Sequence, residues 1–106
     1  MKIEVQGTNV DLPAGLNQEI KVRAKRAFER FSTSVRRVEI VVNDENGPRG
    51  GTDTRCRVTV FGDGEEPIVV TGRGESTGHA AVTTIRRAQR AVAERADRRA
   101  NHRASA

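Results

Sequence analysis

Six arginines carry the chemistry that this sequence offers. Arg23, Arg26 and Arg30 recur three and four residues apart, and Arg86, Arg87 and Arg90 form a similar group late in the chain. On a helix, such spacing gathers side chains on one side. A guanidinium stays protonated and is a poor acid or base, but its planar fork fits phosphate oxygens two at a time. Two groups of this kind are suited to holding a polyanion rather than to making or breaking bonds in one.

Other residues with reactive side chains do not assemble into a site. The tract from Gly72 to Gly78 follows an expected strand and opens an expected helix, the setting of a phosphate-cradling turn. Its glycine spacing is off by one, Glu75 would repel phosphate, and no further strand completes a dinucleotide unit. Asp44, Asn46 and Asp53 loosely resemble a calcium loop, but Arg55 stands where the closing carboxylate belongs. Cys56, His79 and His102 lack metal-ligand spacing, and Glu65 and Glu66 share a turn. The expectation is therefore a binding protein and not an enzyme, with no cofactor, metal or small-molecule substrate.

Charge position sharpens this. The net charge is +5, yet residues 1–75 carry 12 basic and 12 acidic side chains, so the whole excess falls in residues 76–106. Residues 13–31 hold five basic and two acidic groups, whereas 38–75 hold four basic and eight acidic. A surface built only for solubility would intersperse the two signs. Sorting along the chain favours a polyanionic partner. The 106 residues are enough for one domain and one modest core. Aromatic residues are only 3%, without Trp or Tyr, so aliphatic side chains must build that core, and no base-stacking platform is expected. A lone cysteine fits a reducing, cytoplasmic setting, and no apolar run approaches the roughly 20 residues of a membrane span.

The elements that must position the arginines read as follows. Ile3 and Val5 alternate with polar residues in a short strand. Pro13 suits a helix start, and Leu16, Ile20, Ala24, Ala27, Phe28 and Phe31 then form one apolar stripe closed by Ser32 to Ser34. Val38, Ile40 and Val42 mark a second strand, and Asp44 to Asp53 a long turn. Cys56, Val58 and Val60 face inward in a third strand, with Arg55, Arg57 and Thr59 outward. Gly62-Asp63-Gly64 signals a hairpin to a fourth strand at Pro67 to Thr71. Ser76 is the expected N-cap of a last helix with the stripe Ala81, Ile85, Ala88, Val92 and Ala96, fraying after Arg99. The order predicts an α+β fold, β-α-β-β-β-α, whose four-stranded mixed sheet carries two helices on one face. One domain over residues 1–100 with a flexible end at 101–106 is expected. The outward helix faces should then form a basic ridge against backbone phosphates.

The chain resembles the short ribosome hibernation-promoting factors, also called ribosome-associated inhibitor A or sigma-54 modulation proteins. The resemblance spans about residues 1–99. It rests on Ile3-x-Val5-x-Gly7, on Leu12-Pro13-Ala14-x-Leu16 leading into a basic helix that ends near Phe31, and on the strand Val38–Val42. A late helix with Arg87 and Arg90 completes it, and Asn46 to Gly51 with Asp53 and Cys56 looks like one branch of the family. The resemblance implies a domain similar to double-stranded-RNA-binding folds. It also implies binding to ribosomal RNA of the small subunit in the messenger and transfer RNA channel, inhibiting translation and preserving idle ribosomes under stress. Arg23, Arg26, Arg87 and Arg90 fall on positions commonly basic in relatives; Arg30 and Arg86 come from the helical-face argument. Leu12, Gly78, His79 and Glu94 depart from the usual pattern. Long relatives add a dimerising domain with no counterpart in these residues, so a self-sufficient ribosome dimeriser is not expected, although short relatives can act with a separate partner. The free chain is expected to be a monomer. A general structured-RNA-binding module and a regulatory protein-interaction adaptor are the readings from other classes.

Overall fold

Alternating apolar residues set the sheet. The structure, a computed structural model, describes residues 1–44 and 53–105, with side chains as far as residue 100. Strands β1 (Lys2–Thr8), β2 (Val35–Asp44), β3 (Thr54–Gly62) and β4 (Ile68–Gly74) lie side by side in sequence order. β1 runs parallel to β2, and β2, β3 and β4 form an antiparallel meander. The parallel pair is joined through helix α1 (Ala14–Phe28), the crossover that parallel pairing needs. Helix α2 (Thr77–Ser105) follows β4. The expected β-α-β-β-β-α architecture is the observed one.

Both helices bury their stripes on the same sheet face. Val38, Ile40, Val42, Cys56, Val58 and Val60 meet Ile20, Ala24 and Phe28 of α1 and Ala81, Ile85, Ala88 and Val92 of α2. Phe28 is fully buried and Phe31 nearly so, as core residues should be. Loss of the Phe28 ring would cost about 3–5 kcal/mol. Asn17 Nδ2 donates to the Val5 carbonyl at 3.4 Å, tying α1 to β1.

Several boundaries differ from expectation. Pro13 stands just outside α1, with ψ 151°, and its carbonyl accepts the Asn17 N–H at 2.9 Å. The helix tightens after Phe28 into a 3₁₀ turn, Glu29–Phe31, which keeps Phe31 inward. β2 begins three residues early because a register shift between Val35 and Arg37 hides its alternation. α2 runs to Ser105, past the end expected at Arg99, since Ala100 to Ser105 include neither Gly nor Pro to stop it. The long turn with the Asn46 to Gly51 tract lies outside the described residues. No helix among the described residues is long and apolar enough to cross a membrane.

β4 also runs further than expected, through Gly72 and Gly74, and this removes the phosphate-cradle reading of that tract. Both glycines are paired strand residues facing the helices, opposite Cys56 and Thr54 respectively. They let α2 come close: a Cβ on Gly72 would lie 2.4 Å from Thr84 Oγ1, and one on Gly74 would lie 2.4 Å from the Ala80 nitrogen. The expected cap is present, with the His79 N–H donating to Ser76 Oγ at 3.1 Å.

Cys56 is 1% exposed on the inner face of β3, and burial pushes its thiol up to about 11, against a weaker opposing hydrogen bond with Thr84. A raised thiol pKa stabilises the fold fully while the unfolded thiol stays protonated, and that contribution is lost as pH rises from 9.0 to about 11. The expected loss over that interval is on the order of 2–3 kcal/mol. Chemical denaturation from pH 8 to 11 should show it in the natural chain and not in Cys56→Val; equal decline in both would refute the assignment. Labelling by a thiol reagent at pH 8 should proceed only as fast as the chain opens.

Candidate nucleic-acid interface

The apolar stripes fix which flank of each helix faces its neighbour. With Ile20, Ala24 and Phe28 turned to the sheet, Arg23 and Arg26 fall on the α2 side of α1. With Ile85, Ala88 and Val92 turned inward, Arg86 and Arg90 fall on the α1 side of α2. The result is a furrow between the helices. Its upper part, about 410 Å³, is lined by Arg23, Arg26 and Arg86 over a floor of Ala27, Val82 and Ile85. Its lower part, about 340 Å³, is lined by Arg30, Arg86 and Arg90 beside Phe31 and Ala93. Arg86 and Gln89 border both parts, so the two adjoin along the helix pair.

Five of the six predicted arginines therefore converge: Arg23, Arg26, Arg30, Arg86 and Arg90. All five are exposed, and none has an acidic partner within 4.0 Å among the described residues. Arg30 lies over the Phe31 ring, its guanidinium carbon 4.7 Å from the centroid, which holds the charge at the furrow mouth. Glu19 is the single carboxylate lining the upper part. Like charges facing each other across an open groove repel unless an anion lies between them, so the electrostatics favour an anionic occupant.

Arg87 is the exception. A helical wheel puts it near Arg90, but its side chain turns the other way, around the sheet edge, and donates from Nη1 to the Thr71 carbonyl of β4 at 2.6 Å. β4 is an edge strand, and the outer carbonyls of an edge strand are left open by the ladder. Arg95 and Arg99 are likewise turned away: Arg95 donates to Glu65 of the β3–β4 hairpin at 2.9 Å, and Arg99 forms an ion pair with it at 3.1 Å. Asp63 of the same hairpin pairs with Arg36 of β2, and its carboxyl is held below its usual range by that hydrogen bond. The wheel gives an angle, whereas these arginines are long enough to reach whichever acceptor the sheet presents.

No protein-family model matches the chain, and no curated protein does. Solved structures do share its fold. The N-terminal domain of Protein Y from Thermus thermophilus superposes with TM-score 0.71 at 15% identity, covering 87% of this chain and 96% of that one. A ribosomal subunit interface protein from Coxiella burnetii superposes with TM-score 0.70 at 11% identity, covering 92% and 99%. Both belong to the family that the sequence resembles. At such identity the likeness establishes the fold.

Proposed function

We infer that the chain is a ribosome-binding factor that lays the α1–α2 furrow along ribosomal RNA of the small subunit. The observation that carries this reading is the convergence of five arginines, unpaired among the described residues, on one furrow. The fold that holds them is shared with a protein described as sitting at a ribosomal subunit interface. Guanidinium groups on both walls can grip successive phosphates, over a floor of Ala27, Val82 and Ile85 with Gln89 as the one neutral amide in the lining. Recognition is then chiefly of backbone and shape. Seated in the channel where messenger and transfer RNA lie, such a factor would block initiation and shield idle ribosomes during starvation, a cytoplasmic role without catalysis.

Co-sedimentation with purified small subunits at fixed magnesium tests this. Five phosphate contacts should make affinity fall by about two orders of magnitude between about 50 and 200 mM monovalent salt. Binding that ignores salt would replace the RNA reading with an apolar protein–protein interface. Equal affinity for free duplex RNA would reduce the chain to a general RNA-binding module.

A further inference from the structure

The helices cover one face of the sheet; the other is open, and its charges are arranged unevenly. At the end near Val35 they are neutralised. Lys2 pairs with Glu4 and Arg37 with Glu39, each at 3.2 Å, and Arg37 also lies over the Phe61 ring at 4.4 Å. Toward the opposite end a cleft of about 640 Å³ is lined by Asn43, Arg57, Thr71, Arg73 and Arg87 among others. Neither Arg57 nor Arg73 has an acidic partner among the described residues. Arg57 and Thr71 are direct cross-strand partners, and Arg73 stands two residues beyond Thr71 on β4. Arg87 comes round the edge to the Thr71 carbonyl. Arg57 and Arg73 thus stand diagonally on adjacent strands, about 7–8 Å apart, with Arg87 reaching in from α2; Arg55, opposite both Arg73 and Asn43, lines the cleft as well.

A second observation concerns Asn43. Its Oδ1 is buried and has no hydrogen-bond partner among the described residues, and the residue lines this same cleft. An acceptor so placed is costly to leave unmade and calls for a donor. Phosphodiesters offer none, whereas a ribose 2′-hydroxyl does. Cations spread over two strands suit successive phosphates of a chain better than one compact anion.

We propose that this end of the open sheet face is a second RNA site, in which Arg57, Arg73 and Arg87 hold the phosphates of one strand and Asn43 accepts a hydrogen bond from its ribose. The site is separate from the furrow, so the protein presents RNA-binding surfaces on both faces. It stands or falls independently of whether the furrow binds the ribosome.

The test follows side-chain and amide NMR signals of the full chain during titration with an unstructured ten-nucleotide RNA, the DNA of the same sequence, and ATP. Signals of Asn43, Arg57, Arg73 and Arg87 should shift together, with RNA about fivefold tighter than DNA. These shifts should persist in Arg86→Glu/Arg90→Glu. In Arg57→Gln/Arg73→Gln the affinity at this site should fall about tenfold or more, with its salt slope reduced by about two. Asn43→Ala should keep the fold, read by thermal melting, and erase the preference for RNA over DNA. Shifts confined to the furrow would overturn the proposal, as would equal affinity for RNA and DNA. Saturation by ATP that RNA cannot displace would overturn it in favour of a small nucleotide pocket.

Discussion

Replacing Arg86 and Arg90 by Glu is expected to lower ribosome affinity at least a hundredfold at low salt while leaving the fold intact or slightly firmer. Both side chains stand in the furrow, and Arg86 borders both of its parts. Each substitution removes an attractive phosphate contact and installs a repulsive one, and the salt slope should flatten by about one unit per arginine. Exposed substitutions typically change stability within about 0.5 kcal/mol. Here the sign can be argued further: the new carboxylates would face Arg23, Arg26 and Arg30, relieving repulsion that the natural furrow carries when empty.

The control for global charge is Lys21→Glu/Lys25→Glu, which alters net charge equally. Those lysines border a separate groove of about 510 Å³ on the other flank of α1, beside Gln18 and Val22. Sedimentation with small subunits should separate the two variants by tenfold or more. Equal losses would mean that the ribosome senses total charge, and the furrow would be no defined site. Arg87→Glu should behave differently from either, because its guanidinium is committed to the Thr71 carbonyl at the β4 edge.

How far such a site can be read in advance depends on what kind of information positions each residue. The stripe Ile20, Ala24, Phe28 fixes the rotation of α1, and Ile85, Ala88, Val92 that of α2, so Arg23, Arg26, Arg86 and Arg90 follow from periodicity alone. Arg87 does not follow, because an edge carbonyl sixteen residues away chose its direction. The sheet is legible where alternation is strict, as from Cys56 to Val60, and illegible where a register shift breaks it, as at Val35 to Arg37. Counting charge by segment also misleads. Residues 38–75 are acidic in sum, yet Asp44, Asp53, Asp63, Glu65, Glu66 and Glu75 stand at strand ends and turns, leaving Arg57 and Arg73 on the open face. The Gly72 to Gly78 tract is misread for a related reason: glycines punctuate turns in most contexts, and only tertiary approach reveals them as strand residues.

That approach makes the β4–α2 contact the place where the smallest substitution should do the most damage. Gly74→Ala is expected to destabilise the protein by about 3 kcal/mol or more, at the upper end of overpacking costs. Its new methyl would lie 2.4 Å from the Ala80 nitrogen and 2.7 Å from the Ala80 Cα, and backbone in the first turn of a helix cannot step aside. Gly72→Ala poses a different problem. Its methyl would meet Thr84 Oγ1 at 2.4 Å but Thr84 Cβ only at 3.4 Å. The obstacle is one hydroxyl, which otherwise donates to the Ala80 carbonyl within the same helix at 2.7 Å. Removing it with Thr84→Ala should therefore recover much of the stability lost in Gly72→Ala, and none of that lost in Gly74→Ala. Urea denaturation of the three single and two double variants measures both couplings in one experiment. A coupling at Gly72 with none at Gly74 places the first constraint in the Thr84 hydroxyl and the second in helix backbone against strand. If Thr84→Ala rescued both or neither, β4 and α2 would be held apart by something other than these two contacts, and the tight seat of α2 on the edge strand would be the wrong account of why glycine stands there.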